Sequence, residues 1–287
     1  MTTRRYRATP VSADAYTLGE GPVWDPLRDR LLWVDISEGK VYAGRLDPFE
    51  VIEEWSFEST VGAVAVAEDG TLLVAEREVL TRVDPGGART EVARVLTTTS
   101  GSRLNDGAVD PAGRFLVGSL PLEGESEQEI LVRLEGGKLT LLDGDLHLSN
   151  GLTWAGNAFY SIDTLPRVVH VREYDPIGPR RDAFHVAGGQ PDGMCLDAEG
   201  NLWIAVWGGG RVERRTPAGD LLAVVEVAAP HTTSVAFAGP GLDTLVITSA
   251  TDGLSPAELA AHPDSGRVFT ARVDVAGPLP PYWNPAL

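Results

Sequence analysis

One cysteine, Cys195, stands in a chain of 287 residues, so no intrachain disulfide can form and nothing indicates an oxidising compartment. Basic residues are also scarce. Lys and Arg number 24 against 41 Asp and Glu, a net charge of −17, which repels phosphate backbones and anionic membrane surfaces. Nucleic acid and membrane are thereby excluded as partner classes. No stretch approaches the roughly 18 apolar residues of a membrane span, and the opening "MTTRRYRATPVSADAY" has charge but no apolar core of a signal peptide. These absences predict a soluble, cytoplasmic protein. The chain also lacks the G-x-S-x-G elbow, H-E-x-x-H and the phosphate-binding G-x-x-x-x-G-K-[ST], and its five histidines show no paired metal spacing. Aromatics are only 7% of residues, whereas 43% are hydrophobic and glycine (32) and proline (20) are plentiful, a composition suited to many short strands joined by tight turns.

What is present is a repeat. A small residue, an apolar run, a turn and a second apolar run recur six times: "GPVWDPLRDRLLWVDI", "GAVAVAEDGTLLVAE", "GAVDPAGRFLVGSL", "GLTWAGNAFYSID", "GMCLDAEGNLWIAV" and "SVAFAGPGLDTLVITS". The copies begin at Gly21, Gly62, Gly107, Gly151, Gly193 and Ser234, at intervals of 41, 45, 44, 42 and 41 residues. That period, with third and fourth strand candidates such as "GKVYAGRLDP" and "VIEEWSF" after each copy, predicts an all-β fold: a six-bladed β-propeller with four antiparallel strands per blade. After Val275 the chain becomes "AGPLPPYWNPAL", whose four prolines cannot form a central strand, so a strand from residues near 5 to 17 is expected to close the ring. Residues 1–287 read as one domain without a linker. The only helix signal is "LSPAELAAH", where Ser255, Pro256 and Glu258 spell a capping box with proline at the first helical position.

In a propeller the starts of the six inner strands surround one channel mouth. The residues before the six anchors are Glu20, Val61, Asp106, Asn150, Asp192 and Thr233. An Asn-Gly or Asp-Gly pair alone is an ordinary turn former, but Glu-Gly is not, and several oxygen-bearing side chains in one register favour a site. Glu20, Asn150 and Asp192 offer two carboxylates and one amide carbonyl, a hard-oxygen set suited to Ca²⁺, Mg²⁺ or Mn²⁺ and compatible with Zn²⁺. Three protein ligands leave positions open for water and substrate, as a catalytic ion requires. Just upstream of the third anchor, "GSRLNDG" sets Arg103 and Asn105 towards one face if it is extended, a guanidinium fork and an amide beside that ion. Cys195 falls in an apolar strand and reads as a packed thiol. Trp24, Trp154 and Trp203 read as core, with Trp207 beside "GGG" the exception that could face a ligand, and His231, though within reach of the mouth, reads as a loop histidine without function.

At these residues the chain resembles the regucalcin and gluconolactonase family of six-bladed propellers. The segments that carry the resemblance are "GEGPVWDP…LLWVDI", "RLNDGAVDPAGRFLVGS", "SNGLTW", "QPDGMCLDAEGNLWIA…GGRV" and "ATDGLSPAEL", spanning about residues 17 to 275. The resemblance implies one divalent ion held by Glu20, Asn150 and Asp192, with Arg103 and Asn105 binding a sugar lactone. It also implies a substrate-contacting glutamate after the third copy, for which Glu123 in "PLEGESEQE" is the best match. The ring register selects Asp106 where the family selects Asn105, and a β-bulge before the strand would reconcile the two. The implied activity is metal-dependent hydrolysis of a sugar lactone, with Asp192 as general base. Two alternatives remain at this level: a related propeller acting on aryl esters or organophosphates, which would line the mouth with apolar groups, and a non-catalytic calcium-binding propeller.

Overall fold

The computed structural model describes residues 3–287. It is a six-bladed β-propeller, with one short helix. The inner strands are Gly19–Asp25, Val61–Val66, Ser102–Val109, Ser149–Ala155, Gln190–Leu196 and Thr232–Ala238. In five blades the later strands follow outward in chain order, and in the sixth the outer strand comes from the amino terminus; the four-stranded core of each is antiparallel throughout. Residues from all six line one central cavity of about 580 Å³.

Apolar residues on the two faces of each sheet pack against the neighbouring blades, so the core is divided into wedges between blades. Val61, Val64 and Val74 of the second blade pack with Leu32, Val34 and Val41 of the first, while Met194, Ile204 and Val206 of the fifth pack with Tyr160, Ile162 and Val169 of the fourth. Trp203 and Trp24 are buried and Trp154 is half-buried, in keeping with a packing role. At Gly62, Gly151 and Gly193 the anchor is small because neighbouring inner strands crowd one another near the axis. A Cβ at Gly62 would lie 2.4 Å from the carbonyl oxygen of Asn105 on the next blade, well inside contact distance.

Ring closure differs from the expectation in one respect. The outer strand of the sixth blade is only Thr9–Pro10, paired with Thr270 and Phe269. The residues just before it, Arg4–Arg7, continue onto the fifth blade as a fifth strand, parallel to Leu221–Glu226, so that blade departs from the four-stranded antiparallel plan. One amino-terminal segment thus staples two blades. The carboxy-terminal tail straps the opposite face: Pro278–Pro281 border the cavity, the Tyr282 hydroxyl donates to Asp25 at 2.8 Å, and Trp283 is buried among the second and third blades. The helix is Pro256–Ala261, with Ser255 at its N-cap and both bonds of the capping box to Glu258 formed.

Most acids of the repeat are structural. At the far ends of three inner strands, Asp25, Asp110 and Asp197 are buried and each is paired with an arginine, Arg30 at 3.0 Å, Arg114 at 2.6 Å and Arg214 at 2.7 Å. Asp197 also accepts the backbone N–H groups of Glu199 and Asn201 and the indole N–H of Trp203. Removing one partner of such a pair strands the other charge in the interior. Asp197→Ala is therefore expected to cost about 3 to 5 kcal/mol of stability, read as a lowered denaturant midpoint; a loss below about 1 kcal/mol would show that Arg214 finds another partner.

Candidate functional site

Every inner strand breaks its register at the mouth. The shifts fall between Glu20 and Val23, Val61 and Ala63, Leu104 and Gly107, Asn150 and Leu152, Pro191 and Met194, and Thr232 and Val235. A bulge leaves its extra residue out of the ladder and re-aims the side chain. Gly21 follows Glu20 at φ +52°, a left-handed conformation that glycine adopts without strain. The third bulge contains both Asn105 and Asp106, so the two competing registers meet at one irregularity of the strand. Asn105 turns sideways to Asn150, while Asp106 borders the central cavity.

Glu20, Asn150 and Asp192 are all buried, contributed by the first, fourth and fifth blades. Two further acids hold their backbones. Asp35 accepts the N–H groups of Thr17 and Leu18 just before Glu20, and Asp163 accepts those of His147 and Leu148 just before Asn150. Both acids end the second strand of their blade in the same register, "WVD" and "SID", a recurrence visible in the sequence but unassigned there. A polar chain then crosses three blades. Arg103 Nη1 donates to Asn105 Oδ1 at 2.8 Å, Asn105 Nδ2 to Asn150 Oδ1 at 2.8 Å, Asn150 Nδ2 to Thr164 Oγ1 at 2.9 Å, and Thr164 Oγ1 to the Pro191 carbonyl at 2.8 Å.

Charge does not balance here. Glu20, Asp106 and Asp192 act on one another electrostatically, and the Arg103 guanidinium is the nearby cation that opposes them. Burial first, and then the Asp106 charge, push Glu20 up to about 8. Burial lifts Asp106 to about 6, and burial with the Glu20 charge raises Asp192 well above the usual carboxylate range. Glu20 and Asp192 are coupled closely enough that one shared proton relieves their repulsion. Burial lowers Arg103 to about 10, against the pull of Glu20, Asp252 and Asp192. A divalent cation would take the place of that shared proton and relieve the repulsion. Among the described residues no three His, Cys, Asp or Glu side chains are disposed to hold an ion by themselves, and here the Asn150 amide oxygen would be the third donor beside the two carboxylates. Two carboxylates and one carbonyl fit a hard divalent cation.

The remaining candidates divide. Glu123 lies exposed in the loop after Phe115–Pro121, with no hydrogen bond to the other five residues, so the structure does not bring it into the cluster. Cys195 borders the cavity beside apolar neighbours, and burial pushes its thiol up. Trp207 and His231 stack face to face, 4.0 Å between centroids, and His231 Nδ1 lies 2.8 Å from the carbonyl oxygen of Asp252. The Asp252 N–H donates to the Thr17 carbonyl at 2.9 Å, just before the strand of Glu20, so this exposed acid stands at the mouth, which sequence reasoning missed. Thr164 was missed as well, because a threonine after a strand carries no signal of its own.

The raised carboxyls predict a pH dependence for the metal-free chain. A group with its folded-state value raised holds a proton that the unfolded chain has released, so its contribution is full below the unfolded value and lost as pH rises through the folded one. For Glu20, at 4.5 ordinarily and about 8 here, the thermal midpoint should fall between those pH values. Glu20→Gln should flatten that fall when melting curves are compared across the range; an unchanged slope would remove Glu20 as its source.

The chain matches the family model described as the SMP-30/gluconolactonase/LRE-like region over residues 18–251. It is 34% identical over 278 residues to regucalcin of Xenopus laevis, covering 90% of this chain and 92% of that protein. It is 36% identical over 278 residues to the 6-deoxy-6-sulfogluconolactonase of Pseudomonas putida, covering 93% and 94%. The crystal structure of regucalcin from Agrobacterium tumefaciens, described as a calcium-binding protein, superimposes with a TM-score of 0.93 at 27% identity over 99% of each chain. With the match extending from the strand that bears Glu20 to the loop that bears Asp252, the chain belongs to the SMP-30/gluconolactonase/LRE-like family.

Proposed function

We propose that this protein is a divalent-metal-dependent sugar lactonase, a carboxylic ester hydrolase acting on a small polyhydroxylated lactone. The observation that carries the reading is the uncompensated cluster of Glu20, Asp106 and Asp192 beside the Asn150 amide, opposed by one guanidinium and opening to a polar mouth. The sulfogluconolactonase relative supports lactone chemistry by its name, and the regucalcin structure described as calcium-binding supports a divalent cation. Ca²⁺, Mg²⁺, Mn²⁺ and Zn²⁺ all remain compatible with the donors.

Glu20, Asn150 and Asp192 would hold the ion. When bound, a divalent cation polarises an ester carbonyl and lowers the pKa of an adjacent water. Asp192 takes the proton from the attacking water as its oxygen bonds to the carbonyl carbon. The same proton returns to the ring oxygen as the acyl C–O bond breaks, giving the hydroxy acid. Arg103 and Asn105 orient substrate hydroxyls and stabilise the developing oxyanion, the guanidinium offering a planar fork for the purpose. Polar groups border this mouth, namely Arg103, Asn105, His231 and Asp252. The apolar wall of Val23, Leu152, Met194 and Phe237 lies deeper, along the central cavity. That division favours a sugar lactone over the aryl ester of a related propeller.

The test is a panel of sugar lactones and aryl esters assayed with metal stripped and restored. Turnover of sugar lactones that vanishes on stripping and returns with the ion is expected; metal-independent turnover, or preference for aryl esters, would overturn the assignment. Glu20→Gln and Asp192→Asn should each lose metal affinity and activity together. Arg103→Ala should keep its metal and lose about 10 to 100-fold in kcat/KM on an aldonolactone, corresponding to about 1.5 to 3 kcal/mol for hydrogen bonds to a charged group. An unsubstituted lactone should lose less. If the ratio of the two substrates does not move, Arg103 does not read the sugar.

A further inference from the structure

The polar chain across the mouth runs in one direction only. Arginine has no acceptor, so Arg103 must donate to Asn105, and the Pro191 carbonyl has no donor, so it must accept from Thr164. Between these fixed ends each amide has one permitted orientation. The single hydroxyl proton of Thr164 is committed to Pro191, which leaves its oxygen as an acceptor, so the Asn150 atom 2.9 Å away has to be Nδ2. Asn150 Oδ1 is then turned away from Thr164, towards Asn105 Nδ2 at 2.8 Å, with its second lone pair free. Asn105, Asn150 and Thr164 are all buried, at 5%, 4% and 4% exposure, so water cannot substitute for a lost link.

We infer that Thr164 is a positioning residue of the site, and that its hydroxyl, set between Asn150 Nδ2 and the Pro191 carbonyl, keeps the Asn150 oxygen facing the mouth while tethering the backbone that leads into Asp192. This rests on the reading of Asn150 and Asp192 as metal ligands. One hydroxyl joins the fourth blade to the fifth at the point where each presents its ligand. Without it only the bond from Asn105 Nδ2 opposes a flip of the Asn150 amide, and the flipped amide offers a cation two N–H groups in place of an oxygen. Outer-shell partners of this kind are worth about 10 to 100-fold in metal affinity. Two alternatives elsewhere in the fold carry less. The central cavity is walled largely by apolar side chains with nothing to identify an occupant, and the stacked Trp207–His231 pair shows nothing of what it would contact.

The test is a double-mutant cycle read by calorimetric titration of the metal-free chain with Ca²⁺ and with Mn²⁺. Thr164→Val, equal in shape but without the hydroxyl, is expected to weaken binding by about 10 to 100-fold. Thr164→Ser should stay within about threefold of the parent, since it keeps both hydrogen bonds. In an Asn150→Asp background the same Thr164→Val change should cost about threefold or less, because a carboxylate presents oxygen whichever way it turns. A loss of equal size in both backgrounds, or none in the parent, would overturn the orienting role. Circular dichroism melting of each metal-free variant reports folding. Should Thr164→Val not fold, Thr164→Ser and Thr164→Cys decide the matter: only Ser should retain parental affinity, and equal affinity in the two would overturn the role. Glu20→Gln is the control for the underlying reading. If it too binds metal at parental affinity, the ligand assignment fails; if it loses metal while Thr164→Val does not, only the positioning role fails.

Discussion

The amino-terminal segment holds the circle shut. Thr9 and Pro10 pair with Thr270 and Phe269 to complete the sixth blade, and Arg4–Arg7 lie along Leu221–Glu226 of the fifth. Everything at the mouth depends on that closure, because Glu20 comes from the first blade and Asp192 from the fifth, with the sixth between them. Thr233 makes the dependence concrete: its hydroxyl donates to the Gly19 carbonyl at 2.6 Å, binding the last inner strand to the residue before Glu20. An open ring would separate carboxylates 172 residues apart in the chain, and loop closure of that length is costly unless many contacts offset it. The apolar wedges between blades supply those contacts.

The two ends of the inner strands treat the same residue type in opposite ways. At the far end Asp25, Asp110 and Asp197 each meet an arginine and further donors, so their charges are compensated and the carboxylates tie the blade corners together. At the mouth three carboxylates face one guanidinium, and burial raises all three. The structure tolerates that cost because the bulges and the polar chain fix the backbone independently of the charges. A site held by its scaffold can keep its carboxylates short of partners, which is the condition a bound cation or a transferable proton requires.

The repeat made much of this legible in the chain itself. A period near 42 residues gives the blade count, the small residue at each anchor, glycine at five and serine at the sixth, marks the inner strand, and the residues before those anchors include Glu20, Asn150, Asp106 and Asp192. The capping box at Ser255 and Glu258 is a local motif and formed as its spacing indicates. Local signals of this sort survive folding because propensity and packing agree on them.

Other features had no local signature. That Asn105 and Asp106 could both serve the site followed from a bulge, which is a property of strand pairing and not of composition. Thr164 and Asp252 acquired their roles from neighbours 14 and more than 100 residues away, Asn150 and Arg103, that only the closed ring supplies. The fifth, parallel strand of Arg4–Arg7 could not be read from a segment that looks the same on any blade edge. The sequence by itself determined the fold and the register of the mouth, because periodic apolar patterning encodes both. Tertiary structure alone decided which way each side chain turns and which charges remain uncompensated, because direction and electrostatic balance depend on distances between blades that no linear spacing records.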